Sequence, residues 1–272
     1  MTTIDIDKAW NKLHTRLEEE NLLANESSKI PIIVKMRQIA AIVLLCILGG
    51  TFAIYFGLKK DNLQLVSICN DDISSTLVST LEDGTFVYLA GGTVLSHPEK
   101  FDADKRQVSL LGEAQFNVQS LKSRPFFIDT EIVMVEVTGT EFNVKSTDKN
   151  LFELYVLHGS VLVTLKSNKV SLSVESGEMV TLDNGVLIKS LHQKQSNKYT
   201  EKMQFKDDYL DNIVRVINTL TDKHIVFADS ELKNNRMTVT FNNNTVSEMV
   251  ELLCATFNLN YSENENEIII CR

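Results

Sequence analysis

Residues 112–118 have the sequence Gly-Glu-Ala-Gln-Phe-Asn-Val, in which apolar and polar side chains alternate after a glycine. Such alternation is typical of a β-strand, because successive side chains point to opposite faces. A similar hexapeptide, Gly-Thr-Glu-Phe-Asn-Val, occupies residues 139–144. The two segments are either equivalent strands or a chance likeness. Both predict short strands that follow a glycine.

The same pattern extends over residues 59–190. Residues 170–174 alternate again, and glycine or Asx signals separate the apolar segments. Many short strands with such punctuation predict an all-β antiparallel domain, either a sandwich or a short β-solenoid. The turn signals are Asp83-Gly84, Gly91-Gly92, Gly112, Gly139, His158-Gly159, Ser176-Gly177 and Asn184-Gly185.

The C-terminal part of the chain has a different pattern. Residues 191–202 are polar and without period, which predicts a linker. Residues 203–272 contain two segments with helical spacing, and Thr245 with Glu248 forms a capping box before the second. This alternation predicts a small α+β domain. Its expected strands are Ile225–Phe227, Met237–Phe241, Leu259–Tyr261 and Glu267–Cys271, with Phe205 at the start of a further strand.

Residues Ile39–Leu58 form an apolar run without a charged residue between Arg37 and Lys59. About 20 helical residues span the hydrocarbon core of a bilayer, so the run predicts one retained transmembrane helix. A buried core helix would carry a polar face, and a signal peptide would have a shorter apolar region and a cleavage site. Within the run, Gly49, Ala53 and Gly57 form a small-x-x-x-small series that is suited to close helix pairing, although such series are common in membrane helices.

Charge predicts the orientation of this helix. Three basic residues precede the run and two follow it, so the positive-inside bias slightly favours a cytoplasmic N-terminus. The first 38 residues balance their charges, and the net charge of −9 lies beyond the run. An acidic tail without a basic patch argues against nucleic acid as a partner.

Residues 1–38 are expected to form a short helical head. Ile6, Trp10, Leu13 and Leu17 recur at spacings of four, three and four, which places them in one apolar stripe. So short a helix needs a protein partner, a second copy or the membrane surface to cover that stripe. A protein partner is favoured because the head is neutral and contains Glu18-Glu19-Glu20, whereas helices that lie on membranes are usually basic.

No catalytic constellation is recognisable in the sequence. The five histidines are scattered, no nucleophile or phosphate-binding motif occurs, and Glu113 is expected to be a solvated or turn-capping acid. The four cysteines form no C-x-x-C motif. Cys254 and Cys271 are expected to be separate thiols, with a bridge as the alternative. The chain is therefore expected to be no enzyme and to hold no metal or cofactor.

Five blocks of sequence follow one another in the β-rich part of the chain. They are Leu81-Glu82-Asp83-Gly84-Thr85-x-Val87-x-Leu89, Pro98-Glu99-x-Phe101, Arg106-x-Val108-x-Leu110-x-Gly112-Glu113-Ala114-x-Phe116-x-Val118, Arg124-Pro125-Phe126 and Val135-x-Val137-x-Gly139-Thr140-x-Phe142-Asn143-Val144. Together these blocks resemble the FecR family of membrane-bound anti-sigma factors.

Two shorter segments, Gly159-x-Val161-x-Val163 and Gly177-Glu178, extend the match. Residues 203–272 resemble the small C-terminal domain related to the short signalling domains of secretins and TonB-dependent transducers.

The resemblance implies a location and two partners. It places the protein in the inner membrane, with a cytoplasmic head that binds an extracytoplasmic-function sigma factor. It places both C-terminal domains in the periplasm, where they meet a TonB-dependent outer-membrane transducer. On this basis the stripe Ile6, Trp10, Leu13 and Leu17 is expected to contact the sigma factor. The strand with Met237, Val239 and Phe241 is expected to offer its edge to the transducer, as is Glu267–Cys271.

Two rival functions remain open from the residues alone. A membrane-anchored periplasmic ligand-binding module would favour a cluster of aromatic side chains, but the single tryptophan, Trp10, lies in the head. An anchored periplasmic enzyme would need a catalytic constellation.

Overall fold

The computed structural model describes residues 6–20, 32–57, 65–148, 151–191 and 198–272. The chain forms two compact units, Met1–Asn62 and Leu63–Arg272. The first contains helix α1 (Ile6–Glu19) and helix α2 (Ile32–Gly57). Helix α1 covers the segment of the head that was expected to be helical. Among the residues searched, which are the described ones, no helix meets the length and apolarity that a membrane span requires.

The second unit is mostly β, with a small α+β part at its C-terminal end. It also contains helices α3 (Leu210–Ile217) and α4 (Val246–Phe257) and two short 3₁₀ helices, Lys198–Thr200 and Ser230–Asn234. Its strands are β1 (Leu65–Cys69), β2 (Thr76–Thr80), β3 (Phe86–Leu89), β4 (Val94–Pro98), β5 (Arg106–Asn117), β6 (Phe126–Asp129), β7 (Val133–Val137), β8 (Glu141–Asp148), β9 (Leu151–His158), β10 (Ser160–Leu165), β11 (Ser171–Glu175), β12 (Glu178–Asp183), β13 (Val186–Leu191), β14 (Lys202–Tyr209), β15 (His224–Phe227), β16 (Arg236–Asn242), β17 (Asn260–Glu263) and β18 (Glu267–Cys271).

Strands β1–β13 make up two sheets, A and B, and we call these thirteen strands the β lobe. Strands β14 and β16 from the C-terminal part of the chain extend sheet B. Sheet A has the order β1-β4-β5-β6-β7-β10-β11. Sheet B has the order β16-β14-β2-β3-β5-β8-β9-β12-β13. Strand β5 belongs to both, because its first half pairs with β4 and β6 and its second half with β3 and β8. Most pairs are antiparallel as expected, but β5 runs parallel to β6 and β14 parallel to β2.

The chain crosses between the two sheets seven times, and glycine occurs at five of these crossings but not between β1 and β2 or between β5 and β6. The glycine positions were expected to be turns, but they are corners, where the chain bends from one sheet into the other. The corners are Gly91-Gly92 between β3 and β4, Gly112 within β5, Gly139 between β7 and β8, Gly159 between β9 and β10, and Gly177 between β11 and β12.

Close contact explains the glycine at four of these corners. A Cβ atom on Gly91 would lie 2.3 Å from Ile73 Cα. A Cβ atom on Gly112 would lie 2.6 Å from Thr93 Oγ1 and 2.8 Å from Thr93 Cα, and Gly112 has a φ of +123°. A Cβ atom on Gly139 would lie 2.6 Å from Cα of Ser120, and one on Gly159 would lie 3.1 Å from Thr140 Oγ1. The similar sequences of residues 112–118 and 139–144 therefore belong to two equivalent segments, each a glycine corner followed by a strand. The likeness between them is thus not due to chance.

The space between the sheets is filled by alternate side chains of their strands. Every second residue of β7, β8 and β9 is buried. Phe116 and Phe142 stack in this core with ring centroids 5.6 Å apart. At one border of the core, the Arg106 guanidinium donates to Asp83 Oδ2 at 2.7 Å, and both side chains are fully buried. The Asp83 and Arg106 of the family-like blocks are thus one buried ion pair, held by further bonds from Arg106 to the carbonyls of Gln119 and Arg124.

Residues 198–272 form the α+β lobe. Strands β15, β18 and β17 make a small sheet of their own, in this order. Helix α4 begins with the predicted capping box, in which Thr245 and Glu248 exchange side-chain-to-backbone hydrogen bonds. The predicted strands of this lobe are all present. Cys254 and Cys271 are free thiols, as are Cys46 and Cys69.

Replacing Gly112 by alanine should destabilise the β lobe. The new methyl group would collide with backbone as well as side-chain atoms of Thr93, and alanine disfavours the positive φ, so we expect a loss of about 2–4 kcal/mol in the free energy of unfolding. Gly177→Ala is the matched control, since that corner has a φ of +85° but no atom within 4 Å of the added carbon. Urea unfolding of both variants measures the difference, and equal losses would contradict the close-contact explanation.

Candidate functional surfaces

Helix α1 presents an apolar stripe that is largely exposed among the residues the structure describes. Ile6, Trp10 and Leu13 have 75%, 64% and 49% of their surface exposed, Leu17 is half-buried, and the helix has no buried residue. Their spacing places all four within one face of the helix. A 14-residue helix is marginal in water on its own, so this exposed stripe is a candidate contact surface.

The predicted small-residue series lies on helix α2. Gly49, Ala53 and Gly57 follow one another at intervals of four along this helix. An atom added at Gly49 would meet nothing within 4 Å. The side-chain environments of Ala53 and Gly57 lie outside the described residues, so their pairing role stays a prediction.

Strand β16 is an edge strand, but the residues predicted for it face inward. Met237, Val239 and Phe241 are 8%, 6% and 1% exposed and belong to the core of the α+β lobe. The side chains of these three residues are therefore unavailable to a transducer, and only their backbone groups remain for contact. Within the described ranges, β16 pairs with β14 alone, so its other edge is open.

The second expected edge is not an edge. Strand β18, which covers Glu267–Cys271, lies between β15 and β17 and is paired on both sides. Its alternate residues Ile268 and Ile270 are buried in the core of the lobe, as is typical of a central strand. The expectation that this strand is open to a partner is therefore wrong.

The two lobes of the second unit share a sheet. Strand β14 of the α+β lobe pairs in parallel with β2 of the β lobe, with Met203 opposite Thr76 and Gln204 opposite Leu77. Lys202 Nζ also donates to Ser74 Oγ at 2.8 Å. We call this contact region the seam.

The seam also shares a hydrophobic core. Val78, Phe86 and Tyr88 of the β lobe are 2%, 7% and 3% exposed, and they pack with the apolar side chains of the α+β lobe. Arg215 of α3 places its guanidinium 5.1 Å above the ring of Phe86. Burial raises the pKa of Tyr88 to about 12, even though Thr219 across the seam forms a hydrogen bond with it.

Glu113 is the polar centre of the seam. Its carboxylate pairs with Lys198 at 2.5 Å and Lys145 at 3.7 Å, and it accepts a hydrogen bond from the Tyr199 hydroxyl at 3.0 Å. Burial by itself would raise the pKa of Glu113, but the bonds from Lys198 and Tyr199 and the two ammonium charges outweigh it, so that the pKa lies below its ordinary value. Conversely, burial and the charge of Glu113 raise the pKa of Tyr199.

Sequence reasoning missed the seam. Glu113 was expected to be solvated, and residues 198–202 were assigned to a linker. Lys198–Thr200 instead form a 3₁₀ helix, in which Tyr199 is 2% exposed. The one signal in the sequence was an aromatic residue within an otherwise polar segment.

A cavity of about 830 Å³ lies at the hairpin tips of the β lobe. Its lining has no aromatic side chain, and its one lysine, Lys166, is paired with Asp129 and the Thr130 carbonyl. Among the described residues, no group of three His, Cys, Asp or Glu side chains is placed to hold a metal ion. The lining is formed by Glu131, Ile132, Leu165, Lys166, Ser167, Leu182, Asp183, Asn184 and Gly185.

The fold and these surfaces define a protein of two units: the first contains an exposed amphipathic helix, and the second contains a β lobe joined to an α+β lobe. Comparison with known families identifies both lobes. Residues 73–162 match the family model "FecR protein", and residues 202–270 match the model "FecR, C-terminal". Together these models span more than half of the chain, and they support its assignment to the FecR family.

Two solved structures are similar to the chain over 76% of its length and 99% of theirs. Both are crystal structures of a candidate anti-sigma factor from Parabacteroides distasonis, at 24% and 23% sequence identity and with a TM-score of 0.47 in each case. No protein among the curated ones matches the chain.

Replacing Glu113 by glutamine should weaken the second unit in a pH-dependent way. The amide keeps the shape but loses the charge that holds Lys198 and Lys145, so we expect a loss of about 1–2 kcal/mol in the free energy of unfolding at pH 7. The folded pKa of Glu113 is lowered, so its contribution is present above the unfolded pKa of about 4.3 and is lost as the pH falls through the folded value. The difference between wild type and variant should therefore shrink below about pH 4.

Urea unfolding between pH 3 and pH 8 measures this difference. Glu265→Gln is the control, because Glu265 is exposed and lies between β17 and β18, away from the seam. A difference between wild type and Glu113→Gln that does not depend on pH would contradict the charged seam.

Proposed function

We propose that the chain is a single-pass inner-membrane anti-sigma factor. It relays a signal from a TonB-dependent outer-membrane transducer to an extracytoplasmic-function sigma factor. The observation that carries this proposal is the exposed apolar stripe of α1, on a helix with no buried residue. The FecR matches of both lobes support a sigma factor as the partner for that stripe, since FecR-like proteins are anti-sigma regulators.

The charge-free run from Ile39 to Leu58 supports the membrane location. Helix α2 contains nearly all of this run, and at about 1.5 Å per residue 20 helical residues reach about 30 Å, the thickness of the hydrocarbon core. In this proposal the head is cytoplasmic and both lobes are periplasmic. A reporter that is active only in the periplasm should work when it is fused after Arg272. Activity only when it is fused before Met1 would overturn the orientation.

Leu13→Asp should weaken binding of the sigma factor by about 2 kcal/mol or more, because it places a charge in the centre of the apolar stripe. The matched control is Thr15→Asp, which adds the same charge to the opposite face of α1, about 160° away around the helix. Pull-down of the cell's extracytoplasmic-function sigma factors by the full-length protein in detergent micelles measures the difference. If the two variants retain equal amounts, the stripe is not the contact surface.

The open edge of β16 is the proposed contact for the transducer. A partner strand would add to it through backbone hydrogen bonds, in the manner of β-augmentation. Residues Val239 and Phe241 direct their backbone groups at β14, because Asn243 N–H donates to the Glu201 carbonyl in the same register. The amide of Thr240 consequently points away from the sheet.

Thr240→Pro should abolish the response to the inducing nutrient, since it removes the outward donor, while proline is tolerated on an open edge. Thr240→Ala retains the amide and is the control. A sigma-dependent reporter at equal membrane levels of both variants is the measurement. Normal induction with Thr240→Pro would show that the signal enters elsewhere.

Deleting residues 203–272 would be a poorer test. It would uncover Val78, Phe86 and Tyr88 and leave β2 without its partner strand, so a loss of response would not distinguish a missing contact from a damaged β lobe.

The alternative function is a membrane-anchored periplasmic ligand-binding module without sigma-factor control. It would use the cavity at the hairpin tips, whose lining offers neither an aromatic platform nor an uncommitted lysine. This alternative predicts that no α1 variant affects sigma-dependent transcription.

A further inference from the structure

Strand β13 forms the end of sheet B opposite to β16. It pairs with β12 through a two-residue turn, Asn184-Gly185, in which both residues have positive φ. Within the described part of the chain, no strand pairs with its other side. The strand therefore has an open edge.

The open edge of β13 is unusually apolar. Val186, Ile188 and Leu191 have 61%, 45% and 87% of their surface exposed. Natural edge strands are commonly blunted by proline, by bulges or by charges that project from the edge. The register of β12 and β13 has no bulge, and the one charge, Lys189, is drawn back to Glu178 at 3.0 Å and to the Ser173 carbonyl at 3.1 Å.

Strand β16, at the other edge of sheet B, exposes polar side chains. The side chains of β16 that face away from the core are Arg236, Thr238, Thr240 and Asn242, all polar. Strand β11, the end of sheet A, likewise exposes Ser171, Ser173 and Glu175. Strand β1, the other end of sheet A, also exposes apolar residues, Leu65 and Val66 at 69% and 41%. Strand β13 thus differs from β16 and β11, but not from β1, as a surface that gains from being covered.

The turn determines which backbone groups of β13 are open. In a two-residue hairpin the residues that flank the turn, here Asp183 and Val186, form a hydrogen-bonded pair. Alternate residues then repeat this direction, so Val186, Ile188 and Ser190 bond to β12. Leu187 and Lys189 consequently direct their amides and carbonyls away from the sheet.

We infer that β13 is the contact strand of a homodimer, in which two copies of β13 pair antiparallel about a twofold axis through Ile188. A second copy is the occupant because β13 is complementary to itself in this register. Leu187 of each protomer lies opposite Lys189 of the other, and both direct their backbone groups outward, so the pair exchanges four backbone hydrogen bonds.

Other registers between the two β13 strands would pair less favourably. A twofold axis perpendicular to the sheet must pass through a residue, because facing residues have to point to the same side. An axis through Lys189 would set two like charges opposite each other, which is destabilising. An axis through Leu187 would shorten the overlap by moving it toward the turn. An axis through Ile188 brings the two isoleucines together on the outer face, where facing Cα atoms are about 4.5 Å apart.

The charge at position 188 provides the test, with the full-length protein in detergent micelles. We expect wild type to be a dimer by light scattering, and Ile188→Lys and Ile188→Glu each to dimerise about tenfold more weakly or worse, because each sets like charges face to face. Mixing the two variants should restore a dimer, since the opposite charges then face each other. Circular dichroism and the unfolding midpoint check that the exposed substitutions leave the fold intact.

Matched controls locate the contact. Thr240→Lys adds the same charge to the exposed face of β16 and should leave dimerisation unchanged. With Cys69 replaced by serine, Ile188→Cys should form an intermolecular disulfide readily, because the facing Cα atoms lie within bridging distance, and Val186→Cys should not, because it faces Ser190. A wild type that is monomeric, single variants that dimerise like wild type, or a mixture that stays monomeric would each overturn the inference.

Discussion

The close approach of backbone segments at the glycine corners is the constraint on which the β lobe depends. At Gly112 and Gly139 the chain passes so near to Thr93 and Ser120 that a methyl group has no room. These contacts hold the two sheets at the distance that their alternating side chains fill. Because β5 turns at Gly112, one strand serves both sheets. Its first half carries Arg106 of the buried Arg106–Asp83 pair, and its second half carries Phe116 of the Phe116–Phe142 stack.

Local patterns predicted much of this architecture. Period-two alternation located the strands around Phe116 and Phe142, helical spacing located α1, and the capping box at Thr245 located the start of α4. Each of these signals lies within a few neighbouring residues. The corner role of the glycines was not predicted, because a glycine that bends a chain and one that reverses it have the same local signature.

Contacts between residues far apart in the chain could not be predicted from the sequence. Nothing near Glu113 indicates that Lys198 and Tyr199, more than eighty residues later, surround its carboxylate. The sequence likewise did not indicate that Val78, Phe86 and Tyr88 pack against α3 and its neighbours, because these residues fit the apolar pattern of the β lobe. Which strand forms an edge also depends on tertiary pairing, which is why β18 was misjudged and β16 was not.

The corner contacts connect each segment only with its neighbour: residue 93 with 112, 120 with 139, and 140 with 159. Each contact joins positions about twenty residues apart, so these corners repeat one step of the β lobe. The steps are not independent, because β5 also pairs with β3 and β8 and carries Arg106 of the buried pair with Asp83. A gene in which one such step is duplicated or lost would have to preserve these pairings, and also the pairing of β2 with β14 that joins the two lobes.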